Sequence, residues 1–149
     1  MDEVIKEHAA RVREADPLVA GHDQLPVPGP GEELVEVAGG VGLAWVDRVD
    51  PGSVNACWSP LTVHRLQARV AGPDPAGVLG GLVDRWIERV ETAADAGDAE
   101  RALSISWPSR DTAPLRALAL RGFAPLSAMA VRGVGESGVG ESGVGESGV

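Results

Sequence analysis

The chain changes its hydrophobic period abruptly at Gly72-Pro73-Asp74-Pro75. Before this break, residues 61–71 alternate like a strand. Leu61, Val63, Arg65, Gln67 and Arg69 share one face; Thr62, His64, Leu66, Ala68 and Val70 share the other, which becomes apolar only towards its end. After the break, Leu79, Leu82, Val83, Trp86, Ile87 and Val90 recur at helical spacing, with Asp84, Arg85, Glu88, Arg89 and Glu91 facing outward. Asp74 followed by Pro75 reads as an N-cap and a first helical residue. Past a small-residue exit containing Gly97, residues 102–107 alternate again. A strand, a crossover helix and a second strand in one sheet require a parallel pair.

The remaining segments fit around this unit. Val4, Ile5, His8, Ala9 and Val12 predict a helix over 2–14, with Asp2 as N-cap and Asp16-Pro17 as the stop. Pro17, Pro26, Pro28 and Pro30 exclude regular structure from 15–32, which reads as a surface strap. Residues 34–38 and 41–49 read as strands joined at Gly39-Gly40. A short helix over 112–121 closes at Gly122, and 124–132 reads as a last strand. The order is α-βββ-α-β-α-β: an α/β (α+β) domain over 1–132 with a mixed, mostly antiparallel central sheet and helices packed on it. The rest, 133–149, repeats Gly-Val-Gly-Glu-Ser and has too little apolar surface to offset its ordering entropy, so a disordered tail is expected.

Charge narrows the partners. Twenty-two acidic residues against 13 basic leave a net charge of −9, which repels phosphate backbones and anionic lipid, so neither nucleic acid nor a membrane surface is expected. No apolar run approaches the ~20 residues of a membrane helix, and no secretory leader is evident, so a cytoplasmic location is expected. Cys57 is the only cysteine, and the three histidines show no ligand spacing. No disulfide or metal site is expected. Cys57 itself reads as a buried, inert thiol.

From Val70 to Arg132, through the break, the long helix, the following strand and the ending Leu118-Ala119-Leu120-Arg121-Gly122-Phe123, the sequence resembles the GNAT (acyl-CoA N-acyltransferase) superfamily. Residues 103–132, with Ser106-Trp107-Pro108-Ser109-Arg110-Asp111, also resemble the amino-terminal halves of bacterial proteins carrying two such domains in tandem. The resemblance implies acetyl-CoA as cofactor. Its pantetheine would meet backbone groups of a splayed strand at Val70, and its pyrophosphate would meet free amides at a helix start around Gly77, Gly80 and Gly81.

The same alignment points to lost chemistry. Asp74 stands where the family has Gln or Arg, Pro75 offers no N–H, and Leu79 brings bulk where a small residue belongs. Leu118 occupies the position of the family's proton-donating tyrosine, and the chain contains no tyrosine. Asp111, aligned with an asparagine, reads as a helix cap or turn residue. His64 is the candidate general base, with Glu33, Glu36 and Asp47 as further acid–base candidates that spacing does not separate. His8 and His22 read as isolated. Trp86 reads as core, and Trp107 as packing near the implied cofactor site.

Three readings follow. The first is a scaffold or partner domain with a degraded acetyl-CoA site, working as a homodimer or beside a second GNAT domain. The second is an active acetyl-CoA-dependent N-acyltransferase on a small amine. The third is a binding module that displays its repeated tail peptide.

Overall fold

The computed structural model of the chain describes residues 1–95 and 97–129. Helix α1 (Asp2–Ala15) leads through the proline-rich strap to strands β1 (Glu33–Val37), β2 (Gly40–Arg48) and β3 (Thr62–Val70), with a 3₁₀ turn (Val54–Cys57) before β3. Helix α2 (Pro75–Glu91), strand β4 (Arg101–Ile105) and helix α3 (Thr112–Ala119) complete the order. The sheet runs β1-β2-β3-β4. Its first two pairings are antiparallel and β3–β4 is parallel, as the crossover unit requires.

The β1–β2 hairpin turns at Ala38 and Gly39, because Val37 faces Gly40 in the register. Gly39 takes φ +77°, a conformation L side chains rarely adopt, so the glycine is needed there. Asp74 caps α2 by accepting from the Gly77 amide at 2.9 Å, and Pro75 follows at the first helical position. α1 begins at Asp2, with Met1 and not Asp2 in the cap position. Gly122 ends the α3 region at φ +84°.

Helix α2 lays its stripe on one sheet face. Leu79, Leu82, Val83, Trp86 and Val90 pack with Val35, Ala44, Leu66, Ala68 and Val70. Each of the larger aliphatic side chains contributes about 1.5–3 kcal/mol on full burial. Helix α3 adds Leu118, and the Phe123 ring stacks 6.3 Å from that of Trp86. Alternation turns Arg65, Gln67 and Arg69 to the opposite face. There α1 packs on β3 with Ile5, Ala9 and Val12 buried, and the strap crosses beside it, with Arg69 bonded to its Gly21 and Gln24 carbonyls.

Two further expectations are corrected. Residues 124–129 form no strand, and Leu126 and Met129 are exposed. Pro125 lacks a ladder donor, and the segment pairs with neither edge strand, β1 nor β4. Residues 130–132 of that expected strand and the repeat tail 133–149 lie outside the described residues. Cys57 is exposed rather than buried, on the turn that also presents Trp58. No helix among the described residues is long and apolar enough to cross a membrane.

Candidate functional site

Strands β3 and β4 stay in register from Thr62 opposite Arg101 to Leu66 opposite Ile105, and then part. β3 continues to Val70, while the β4 chain leaves through Trp107 and Pro108 towards α3. This divergence frees backbone groups on the β4 side of β3. The groups at Val70 are taken by α1: the Val70 amide donates to His8 Nδ1 at 3.3 Å, and the Val70 carbonyl accepts from Arg11 Nη1 at 2.8 Å.

The side chains filling the opening form one polar cluster. Arg11 Nη2 donates to Asp111 Oδ2 at 3.1 Å, and Trp107 Nε1 donates to the same oxygen at 3.1 Å. Asp111 precedes α3 but makes no capping bond to it. It holds the N-cap position and closes the turn from Pro108, as expected, while its carboxylate joins the first and third helices. The Trp107 ring meets the His8 ring edge-on at 5.4 Å. His8 and His22 are partners rather than isolated, with Nε2 of His8 3.0 Å from Nδ1 of His22.

The network fixes the tautomers. Nδ1 of His8 faces two donors, the Val70 amide and Arg11 Nη2 at 3.2 Å, so it accepts. Nε2 therefore carries the proton and donates to His22 Nδ1. A proton added at Nδ1 would meet donors only. Burial, followed by the nearby Arg11 and Arg69 charges, lowers the His8 pKa to about 3. Burial and the same two arginines, Arg69 first, also lower that of His22. Both rings are neutral structural elements at pH 7.

The residues aligned with a phosphate cradle are separate. Gly77 spends its amide on Asp74. A side chain at Gly80 would meet the Arg121 guanidinium, which lies over that face of α2 and pairs with Asp84 at 2.6 Å. Gly81 faces open space. Coenzyme A does not fit these residues. The helix start presents a carboxylate and an N–H-less proline to a diphosphate, and the strand groups at Val70 are already bonded.

His64 lies on β3 within the paired region, opposite Val46 and Leu103. Its Nε2 is 3.0 Å from Asp95 Oδ2, and the other Asp95 oxygen is buried without a partner. His64 lines a cavity of about 150 Å³ with Trp45, Trp86, Glu33 and Arg89. Glu33 pairs with Arg89 at 3.3 Å; Asp47 pairs with Arg65 and accepts from Trp45 Nε1; Glu36 is exposed. Only Glu33 among these acids shares the His64 cavity. Six residues of strand, roughly 20 Å, separate His64 from Val70.

Sequence reasoning missed Arg11, Arg69, His8 and His22 as a unit, and Asp95 as the His64 partner. The available signal was His8 alone, on the face of 2–14 that periodicity turns inward; Arg11 flanks that stripe, and Arg69 lies on the more polar face of 61–71. Among the described residues no group of acidic, histidine or cysteine side chains could hold a metal ion. Comparison of the chain with protein-family models, curated proteins and solved structures finds no match.

Proposed function

We propose that this chain is a GNAT-like domain whose coenzyme cleft is closed by its own amino-terminal helix, and that it serves as a scaffold or partner domain. The observation that carries this reading is the occupation of Val70. Where two strands part, an acyl-CoA would need the β3 backbone, and His8 and Arg11 hold both groups instead. Asp74 acts in the same direction at the helix start by satisfying the Gly77 amide with a carboxylate. The absence of tyrosine removes the usual donor to a departing thiolate. A fold held by the α2 stripe needs no cofactor to persist. Its partner is a second copy or a second domain of the same kind, and the edge strands β1 and β4 are the natural places for pairing.

Calorimetry with acetyl-CoA tests the reading: no heat of binding is expected. Micromolar affinity would overturn it and favour an active N-acyltransferase on a small amine. One observation supports that second reading: the His64–Asp95 pair beside a cavity has the form of a base and its orienting acid. Acetyl transfer to a small amine, lost on His64→Gln, would establish it.

A further inference from the structure

On the face of the sheet away from α2, a cavity of about 300 Å³ opens between the strap and the strands. That is the low end of the ~300–1,000 Å³ range of small-molecule sites, and about ten times the ~30 Å³ share of one water. The strap supplies Ala20, Gly21 and His22; β2 supplies Trp45; β3 supplies Arg65, Gln67 and Arg69; the β4 side supplies Ser104 and Ser106.

The charges in this lining are unbalanced. Arg65 is neutralised by Asp47. Arg69 is not: among the described residues it forms no ion pair, although it is only 2% exposed. Its Nη1 donates to the Ala68 carbonyl at 2.9 Å, and its Nη2 to the Gly21 and Gln24 carbonyls at 2.9 and 2.7 Å. Its Nε–H is buried with no acceptor. A buried guanidinium without a counter-ion is costly, and so is an unsatisfied buried donor. Burial accordingly lowers the Arg69 pKa, and the Asp23 charge opposes that shift.

We infer that this cavity binds a small organic anion, a single carboxylate on a compact polar body, with Arg69 as its counter-charge. The carboxylate supplies the negative charge that Arg69 lacks at the cavity wall. Ser104, Ser106 and Gln67 offer donors and acceptors to hydroxyl or amino substituents, and Trp45 gives the carbon skeleton a flat wall. Arg11, Asp111 and His8 lie beyond His22 and are already committed to one another. The inference does not rest on the acyltransferase resemblance, since it uses neither the α2 amides nor the Val70 backbone.

The test is nuclear magnetic resonance on the full chain with ¹⁵N-labelled arginine, titrated with L-lactate and L-serine, and in parallel with lactamide, inorganic phosphate and chloride. A saturable shift of the Arg69 Nε–H resonance by a carboxylate, with a Kd of about 1 mM or tighter, is expected, with no response to lactamide. Because Arg69 also holds the strap, Arg69→Gln risks unfolding. Gln67→Ala and Ser106→Ala avoid this, and each should weaken binding about fivefold at an unchanged melting temperature, the effect of one lost hydrogen bond. An unmoved resonance with every acid overturns the inference. So does an equal response to lactamide, or one to phosphate and chloride as strong as to the acids, which marks a general counter-ion only.

Discussion

Arg11 and Asp111 lie 100 positions apart in sequence and 3.1 Å apart in space. Their contact bridges the seam where β3 and β4 part, and Trp107 shares the same carboxylate oxygen. One acid therefore fixes the first helix, the end of the β4 chain and the entry to α3.

Removing that acid should be expensive. Asp111→Ala leaves Arg11 and the Trp107 N–H without their acceptor in a largely buried setting, and a loss of about 2–3 kcal/mol is expected by urea unfolding. Asp111→Asn keeps the shape and should cost less. An Asp111→Ala chain as stable as the parent would show that the contact carries no weight.

Acid should loosen the same seam before it titrates most carboxylates. His8 has its pKa near 3 in the folded chain and close to 6.5 when unfolded, so unfolding takes up a proton below pH 6.5. The stabilising contribution is whole above that value and falls as pH drops towards 3. The slope approaches about 1.4 kcal/mol per pH unit from one such histidine, and His22 adds in the same direction. Denaturant titrations between pH 7 and 5 should show this loss, and His8→Gln should flatten it. A parent chain equally stable at both pH values would refute the neutral-pair description.

The cap on α2 should be worth an ordinary amount. Asp74→Ala deprives the Gly77 amide of its acceptor and should cost about 1 kcal/mol. The variant should still give no heat with acetyl-CoA, because Pro75 has no N–H and Val70 stays bonded to α1. Binding gained by this single change would make the cap, and not the helix seal, the barrier.

Gly80 offers a double-mutant cycle. An added Cβ would sit 2.5 Å from the Arg121 guanidinium, the flexible end of its side chain, and so would displace the Arg121–Asp84 pair. Gly80→Ala alone should be close to neutral: a helix-propensity gain of about 1 kcal/mol offsets a partly exposed ion pair worth less than about 1 kcal/mol. In an Arg121→Ala background the same change should stabilise by nearly the full propensity gain. Equal effects in both backgrounds would mean that the two positions do not interact.

The parts legible in the sequence are those governed by local rules. The α2 stripe, the Asp74 cap, the glycine turn at 39 and the terminating Gly122 each follow from spacing or backbone geometry within a few residues. The mixed sheet follows from one crossover. What spacing could not show are partnerships across the chain: nothing around residue 8 says that it will meet residue 70, and nothing near residue 111 distinguishes a cap from an anchor for Arg11. Cys57 was misjudged for the same reason, since a thiol's exposure depends on what folds over it. Residues 124–129 alternate acceptably, but a strand is made by its neighbour, and no ladder partner meets them.

Because α1 seals a seam built from positions 60 to 100 residues downstream, its docking must wait until nearly the whole domain has left the ribosome. An amphipathic helix emerges before the strands it seals and settles after them. During synthesis its apolar stripe is open to chaperones, and closing so long a loop places this step late on the folding route.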